Sequence, residues 1–261
     1  MKGVILAGGL GTRLSPLTDI TNKHLLPVYD RPMIFYPIEA LVQAGIDEVM
    51  VVTGGEHAGD FLRLLKNGEG LGLRHLEFGY QEGHGGIAEA LKVAEDFADD
   101  EPICVMLGDN IFQKSIRPAA EVFARQPEGA RLVLSQTSDP HRFGVPAFGE
   151  GGRIEKIVEK PSVAPALYAV TGAYFYDHRV FEICKSLEKS ERGELEISDV
   201  NNQYLIGNRL TYEVQLGWWI DAGTVENLYA ASTLVRSTGA NNNTIDDNLN
   251  RVERVERVER T

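Results

Sequence analysis

Short runs of apolar and β-branched residues alternate along the chain with longer segments in which apolar residues recur at helical spacing. The short runs predict buried strands at Lys2–Leu6, Glu48–Thr53, Pro102–Leu107, Arg131–Gln136 and Ala169–Tyr176. The longer segments predict helices over Met33–Ala44, His57–Lys66, Ile87–Phe97 and Val180–Leu187. Near-continuous apolar strands separated by helices are typical of a mostly parallel sheet. We therefore expect an α/β fold with helices on both faces of that sheet.

The pattern changes at about Phe143, where the predicted strands become short. Val145–Phe148 and Arg153–Glu159 flank the turn residues Glu150-Gly151-Gly152, which predicts a hairpin. We expect strands added to the same sheet, together with a small β-rich region. Residues 1–239 are therefore expected to form a single domain with two halves, about 1–140 and about 141–239.

The end of the chain differs in composition from the rest. Arg251–Glu259 consists of three Arg-Val-Glu triplets, and a period of three matches neither a helix nor a strand. We interpret residues 240–261 as a low-complexity C-terminal extension. A contact between subunits of an oligomer is the alternative.

Charge and composition restrict the partners. The 261 residues carry a formal net charge of −12, which disfavours nucleic acid or an anionic membrane surface as a partner. A small anionic substrate would then need a local cluster of cations or a metal. No apolar run approaches the ~20 residues of a membrane span, and the chain starts directly with a strand-like run. Cys104 and Cys184 form neither a disulfide framework nor a zinc pattern, so we expect a cytoplasmic protein.

A glycine-rich loop, Ala7–Arg13, follows the first predicted strand. Glycines at such a position let backbone N–H groups approach phosphate oxygens, because no Cβ atom intervenes. A dinucleotide-binding loop would need glycine or alanine at position 14, where Leu14 stands, and the Gly-Lys-Ser/Thr of a P-loop is absent. Arg13 and Lys23 supply two cations beside the loop, which is the counter-charge that a triphosphate requires.

Two carboxylates are candidate ligands of Mg²⁺. Asp109 follows a buried strand, and Asp221 lies in the aromatic, glycine-bounded segment Gly217–Thr224. Magnesium is commonly held by one or two carboxylates together with substrate oxygens. For Asp109 taken alone, a helix cap is the alternative.

Glu159 and Lys160 precede Pro161 and form a further candidate pair. Adjacent residues on a strand point to opposite faces, so both can face one substrate only if the chain bends. An exposed ion pair is the equally weighted alternative. No metal-ligand spacing is present among the histidines, and no nucleophile elbow or Ser-His-Asp grouping suggests covalent catalysis.

With these motifs in this order, the chain resembles the sugar-phosphate nucleotidyltransferase family, in particular its thymidylyl-transferring members. The resemblance covers about Met1–Leu234 and implies a Rossmann-like, mixed, mostly parallel α/β sheet with a small added β-rich sugar-binding region. The matching segments are Leu6–Leu14, Asn22–Pro27, Gly85–Ala88, Gly108–Asn110, Phe143–Val145, Glu159–Pro161, Ala169–Gly172, Arg192–Asp199 and Trp219–Thr224.

The resemblance implies a role for each matching position. The first half would bind the nucleotide, through Gly8, Gly9, Gly11, Thr12, Arg13, Gln81, Gly86 and Asp109, with Gln81 and Gly86 reading the thymine. The second half would bind the sugar 1-phosphate, through Gly144, Glu159, Lys160 and Val170 together with Asn110. Arg13, Lys23 and Lys160 would be catalytic, and Asp109 and Asp221 would bind Mg²⁺.

The implied reaction joins dTTP and glucose 1-phosphate to give dTDP-glucose and pyrophosphate, in a homodimer or homotetramer. A member that uses UTP or another sugar 1-phosphate, and a non-catalytic homologue that binds nucleotide sugars, are the alternatives. The chain departs from the family pattern at His24, where glutamine is frequent, and at Val158, where a second glutamate is frequent. We also expect it to be a short form without the C-terminal helical region of longer members, and so we do not expect feedback control through that region.

Overall fold

The structure is a computed structural model that describes residues 1–83, 85–125 and 128–242. Of the predicted C-terminal extension, residues 240–242 are described, whereas the Arg-Val-Glu triplets lie outside the described residues.

Within this part of the chain the strands and helices alternate as follows. The strands are β1 Lys2–Leu6, β2 Pro27–Val28, β3 Arg31–Pro32, β4 Glu48–Gly54, β5 His75–Gln81, β6 Ile103–Leu107, β7 Asn110–Phe112, β8 Ala130–Gln136, β9 Gly144–Phe148, β10 Ile154–Glu159, β11 Tyr168–Tyr176, β12 Leu210–Val214 and β13 Trp219–Asp221. The helices are α1 Phe35–Gln43, α2 Ala58–Leu65, α3 Ile87–Lys92, α4 Glu95–Ala98, α5 Arg117–Phe123, α6 Val180–Ser186, α7 Ile197–Leu205 and α8 Val225–Thr238.

The main sheet has seven strands among the described residues, in the order β12-β8-β11-β6-β1-β4-β5. Strand β11 runs antiparallel to β6 and β8, whereas β1 runs parallel to β4 and β6, and β4 runs parallel to β5. The predicted mixed, mostly parallel sheet is therefore confirmed, and strands β11 and β12 of the second half join the sheet of the first.

Helices cover both faces of this sheet, as predicted, because successive strand residues point to opposite sides. On one face Val4 and Val52 pack in a cluster with residues of α3, α6 and α7. On the other face Ile5 and Val51 pack in a cluster with residues of α1, α2 and α5. The strands are thus held between two apolar layers, which makes their ends a rigid edge on which side chains can be positioned.

Smaller elements extend this edge. Strands β9 and β10 form the predicted antiparallel hairpin, and β7 pairs with β13 in a second ribbon. The predicted helix Ile87–Phe97 is divided into α3 and α4, because Val93 and Ala94 donate to carbonyls three residues back rather than four. No helix of the described residues is both long enough and apolar enough to cross a membrane.

Candidate active site

A cavity of about 570 Å³ opens at the edge where β1, β5 and β6 end and β11 begins. Ligands of open α/β sheets bind at this edge. The cavity is lined by most of the predicted site residues: Gly8, Gly9, Arg13, Lys23, Gln81, Gly86, Asp109, Asn110, Gly144, Glu159, Lys160, Val170 and Asp221. Gly11 and Thr12 are the predicted residues that do not line it.

The glycine loop leaves β1 and turns sharply before a short 3-10 helix, Thr12–Leu14. Gly9 has φ 98° and Gly11 has φ 64°, values that favour glycine over other residues. The Thr18 hydroxyl donates to the Gly11 carbonyl at 2.9 Å and fixes the turn. Arg13 at the end of this turn reaches the cavity, whereas Gly11 serves as part of the turn itself.

Lys23 and His24 lie on a short helical turn, Lys23–Leu25, whose first N–H groups are capped by Asn22. The Lys23 Nζ donates to Asp109 Oδ2 at 2.5 Å, and the His24 Nδ1 lies 2.8 Å from Asn22 Oδ1. Burial, followed by the positive charge of Lys23, lowers the pKa of His24 to about 3. His24 is therefore a neutral wall of the cavity at physiological pH.

Asp109 and Asp221 come together across the β7–β13 ribbon. A Cβ atom on Gly223 would lie 2.7 Å from Asp221 Oδ1, 3.3 Å from Asp109 Oδ2 and 3.1 Å from an Arg13 guanidinium nitrogen, so these groups converge on one point. Burial, the largest single influence, would raise the pKa of Asp109, but the charge of Lys23, the neighbouring His24 and the hydrogen bonds from Lys23 and Asn110 together outweigh it and hold the pKa below its usual range. Burial, and then the negative charge of Asp109, raise the pKa of Asp221.

Asp109 does not cap a helix, because the element after it is strand β7. That alternative from the sequence is therefore wrong. The carboxylate instead accepts from the Asn110 amide at 3.0 Å and from Lys23.

Asn110 holds three elements in register. Its Oδ1 accepts from the Gly172 N–H at 2.8 Å and from the Trp219 indole N–H at 2.6 Å, while its Nδ2 donates to Asp109. A Cβ atom on Gly172 would lie 2.5 Å from the Asn110 amide carbon, so only glycine fits at that position. Asn110 thereby orients Asp109 and joins β11 to the β7–β13 ribbon.

Glu159 and Lys160 line the cavity together, because the chain does bend between them. Lys160 has φ 41°, in the left-handed region, and its N–H donates to the Phe143 carbonyl at 3.0 Å. Its Nζ lies 3.3 Å from Glu159 Oε1, while Glu159 Oε2 accepts from the Ser198 hydroxyl at 2.6 Å. The two residues therefore form the ion pair that was one alternative from the sequence. They also face the cavity together, which was the other alternative. A left-handed conformation at a non-glycine residue is a strained feature that concentrates at functional sites.

Gln81 stands at the opposite wall, at the end of β5. A Cβ atom on Gly8 would lie 2.8 Å from its Oε1, and its Nε2 donates to the Gly86 carbonyl at 3.4 Å. Gly86 has φ 96°, and a Cβ atom there would lie 2.7 Å from the Leu195 carbonyl oxygen. Glycine at these two positions therefore permits the close packing that holds the Gln81 amide at the cavity wall.

Several cavity residues were not predicted as site residues from the sequence. They include Arg142, Phe143, Glu194, Ser198 and Trp219, together with His24, Gly172 and the mainly apolar Leu6, Ile87, Ala90, Leu107, Tyr174 and Ile197. Most of them lie within or next to the motifs that carried the resemblance, which is the signal that could have singled them out.

The fold and the site define the class: an α/β protein that places paired carboxylates and several cationic side chains around a cavity at the carboxyl edge of a mixed sheet. A sequence profile of the nucleotidyl transferase family matches residues 2–238, and the chain belongs to this family.

Relatives within the family are similar over nearly the whole chain. A glucose-1-phosphate thymidylyltransferase from Neisseria meningitidis is 44% identical over 241 residues, which cover 91% of this chain and 83% of the relative. A glucose-1-phosphate thymidylyltransferase from Actinoplanes sp. is 43% identical over 241 residues, covering 91% of this chain and 78% of the relative.

Solved structures agree with this placement. A Bacillus anthracis protein assigned as a glucose-1-phosphate thymidylyltransferase, crystallised with sucrose, is 48% identical and superposes with a TM-score of 0.86 over 91% of this chain and 96% of its own. A UDP-glucose pyrophosphorylase with bound UDP-glucose has a TM-score of 0.78 at 23% identity, covering 90% of this chain and 98% of its own. This second similarity concerns the fold alone.

Proposed function

We propose that this chain transfers a thymidylyl group from dTTP to glucose 1-phosphate, giving dTDP-glucose and pyrophosphate. The observation that carries the proposal is the convergence of Arg13, Asp109 and Asp221 around one point of the cavity, with Lys23 bonded to Asp109. This arrangement suits a triphosphate whose charge must be neutralised before a second anion can approach. The names of the relatives that share about 40% of the sequence supply the base and the sugar.

The nucleotide would lie between the glycine loop and Gln81. The backbone at Gly8 and Gly9 faces the cavity and leaves space for phosphate oxygens, with Arg13 and Lys23 as counter-charges. The Gln81 amide offers both a donor and an acceptor to the edge of a thymine beside Gly86. Gly11 and Thr12 would support the loop from behind rather than contact the ligand.

The sugar 1-phosphate would lie on the other side, against β9, β10 and the start of β11. Glu159, fixed by the Ser198 hydroxyl, can accept hydrogen bonds from sugar hydroxyls. A Cβ atom on Gly144 would lie 2.8 Å from the Ser198 oxygen, so glycine keeps this wall open. Lys160 would hold the phosphate, and Val170 would contact the sugar ring.

The carboxylates Asp109 and Asp221 fit Mg²⁺. Asp109 is buried and Asp221 is partly buried, and burial, followed by the negative charge of Asp109, raises the pKa of Asp221, a repulsion that a bound cation relieves. The described residues contain no cluster of three metal-binding side chains, which suits an ion held by two carboxylates and by substrate oxygens. When bound there, Mg²⁺ would neutralise phosphate charge as the reaction proceeds.

The chemistry requires positioning more than proton transfer. A phosphate oxygen of glucose 1-phosphate attacks the α-phosphorus of dTTP, a P–O bond forms, and the bond to the bridging oxygen of pyrophosphate breaks. Because the nucleophile is already an anion, no general base is needed. The obstacle is repulsion between the two anions, and Arg13, Lys23 and Lys160 offset it while the cavity aligns the reacting atoms.

The test is a substrate panel that follows pyrophosphate release with dTTP, UTP, ATP, CTP and GTP against glucose 1-phosphate, then dTTP against other sugar 1-phosphates. We expect kcat/KM to be highest for dTTP with glucose 1-phosphate. Asp109→Asn, run beside the wild type, should lower kcat by about 10²-fold or more while unfolding remains cooperative, which assigns the activity to this site.

Two results would redirect the proposal. A preference for UTP would make the chain a uridylyl-transferring relative with the same site. Tight binding of dTDP-glucose with no turnover for any pair would make it a non-catalytic homologue. A homodimer or homotetramer and a cytoplasmic location remain predictions from the resemblance, and light scattering on the purified chain checks the first.

A further inference from the structure

Arg142 is a cation at the cavity for which the site described above has no use. It ends a short 3-10 turn, Pro140–Arg142, just before β9, and its side chain lines the cavity. The guanidinium carbon lies 5.7 Å from the centre of the Phe143 ring. One of its terminal nitrogens, Nη2, is buried and has no hydrogen-bond partner among the described residues.

A buried, charged donor without a partner is costly, because leaving a charged group without its hydrogen bond costs more free energy than leaving a neutral group without one. Two nearby cations, Lys160 at the cavity and Arg192 beside Glu159, both have carboxylate partners. Lys160 lies against Glu159 at 3.3 Å, and Arg192 lies against Glu194 and Glu196, each at 2.9 Å. Arg142 therefore stands out as a cavity-lining cation with a terminal nitrogen that lacks a hydrogen-bond partner among the described residues.

Its neighbours show which part of the cavity it serves. The His141 Nδ1 lies 2.8 Å from the Pro161 carbonyl oxygen, and the Phe143 carbonyl accepts from the Lys160 N–H at 3.0 Å. These bonds, one on each side of Arg142, attach its turn to the segment that carries Lys160. The glycine loop with Arg13 comes from a different strand.

The Phe143 ring completes the placement. It packs edge-on against Trp219 at 4.9 Å between ring centres, and Trp219 is bonded through its indole N–H to Asn110, the neighbour of Asp109. The turn thus spans from the Lys160 wall towards the carboxylates. A sugar 1-phosphate whose phosphate oxygen attacks a nucleotide bound beside Asp109 would therefore lie next to this turn.

We propose that Arg142 binds the phosphate of the sugar 1-phosphate together with Lys160, supplying the planar donor pair that a lysine cannot. The inference rests on the proposed function and extends it by one substrate-binding residue. The ring of Phe143 holds the guanidinium in place, so little side-chain freedom is lost when the phosphate arrives.

The experiment compares ligands with and without the phosphate. Arg142→Met keeps an unbranched apolar chain over Phe143 but removes the donors, and Arg142→Lys keeps the charge. We expect Arg142→Met to raise the KM for glucose 1-phosphate about tenfold or more and to change the KM for dTTP less than twofold. Arg142→Lys should fall between Arg142→Met and the wild type.

Glucose, used as a competitive inhibitor against glucose 1-phosphate, separates phosphate binding from a structural effect. Its inhibition constant should change less than twofold in Arg142→Met, because glucose carries no phosphate. Arg153→Met is the matched control, because Arg153 is exposed, immediately precedes β10 and does not line the cavity, and the variant should resemble the wild type in every measurement.

Three outcomes would overturn the inference. Unchanged kinetics would show that Arg142 does not contact the substrate, and a rise confined to the KM for dTTP would place it on the triphosphate. Equal losses for glucose and glucose 1-phosphate would show that it only supports the cavity wall. The substrate panel on the wild type decides separately whether the chain uses dTTP and glucose 1-phosphate, so a failure of the proposed function is seen before any Arg142 variant is compared.

Discussion

His24 is a buried imidazole whose environment ties the stability of the protein to pH. It is 1% exposed, and burial, followed by the Lys23 charge, lowers its pKa from the ordinary 6.5 to about 3. Between these pH values the unfolded chain binds a proton at this residue and the folded chain does not. The free energy of unfolding that depends on His24 is thus fully present above pH ~6.5 and falls as the pH decreases, by about 1.4 kcal/mol per unit.

We predict that His24→Gln removes this dependence. Between pH 8 and pH 5.5 the wild type should lose about 1.4 kcal/mol more of its unfolding free energy than the variant does, as measured by urea unfolding at both values. His178→Gln, at an exposed position, is the control and should keep the wild-type difference. An identical pH dependence in His24→Gln and the wild type would show that His24 takes up a proton in the folded state.

Among the strands, Gly172 in β11 shows how a position without a side chain determines the geometry of a site. A Cβ atom there would meet the Asn110 amide at 2.5–2.8 Å, and Asn110 orients both Asp109 and Trp219. The added methyl group and the Asn110 side chain would both lie in the packed core, so neither could move away without a cost in free energy.

We predict that Gly172→Ala lowers kcat about 10²-fold, because a shift of Asn110 by a fraction of an ångström moves the carboxylate beside it. The unfolding free energy should fall by about 1–3 kcal/mol. Gly59→Ala, in α2 with open space around the added methyl group, should leave kcat unchanged and stability equal or slightly higher. Steady-state kinetics and thermal unfolding of both variants check this, and wild-type kcat in Gly172→Ala would contradict it.

The elements also show which parts of the fold a single sequence can predict. Strand β1 has the predicted bounds, and β4, β6, β8 and β11 differ from them by one residue at an end, because strands buried on both faces are apolar throughout. The edge strands β5 and β12 were not predicted. They mix charged and apolar residues, since much of each is exposed.

Helix α7 was missed for a different reason. Its buried face contains Ser198 and Asn201, polar residues that a hydrophobic pattern assigns to the surface. They are buried because Ser198 donates to Glu159 and the Tyr176 hydroxyl donates to Asn201. Such partners are distant in sequence, so periodicity alone cannot reveal them.

The residues of the candidate site also fall into those that the local sequence can predict and those that depend on contacts distant in sequence. Arg13 and Asp109 follow strands and could be proposed from that position alone. Arg142 and Ser198 depend on contacts between segments tens of residues apart, and only the fold brings them to the cavity.

At the scale of the whole molecule, the C-terminal segment of the described chain packs back against the centre of the protein. After α8, the Asn241 N–H donates to the Phe112 carbonyl at 2.8 Å and its side-chain amide donates to the Tyr36 carbonyl at 2.9 Å. Asn241 is 1% exposed and has φ 55°, a left-handed conformation that asparagine tolerates better than most residues. It therefore joins the end of α8 to α1 and to β7, a strand of the ribbon that carries Asp221.

We predict that Asn241→Ala lowers the unfolding free energy by about 1–3 kcal/mol, because the Tyr36 carbonyl loses its buried partner and alanine resists the left-handed backbone. For a chain of this size that corresponds to a fall in Tm of roughly 2–10 °C, measured by calorimetry. Asn241→Gly restores the backbone freedom but not the hydrogen bond, so its Tm should lie between those of Asn241→Ala and the wild type. Because Asn241 and its hydrogen-bond partners lie outside the cavity, kcat at 25 °C should change less than twofold in both variants. A Tm within 1 °C of the wild type in Asn241→Ala would show that the Asn241 hydrogen bonds do not contribute to the stability of the domain.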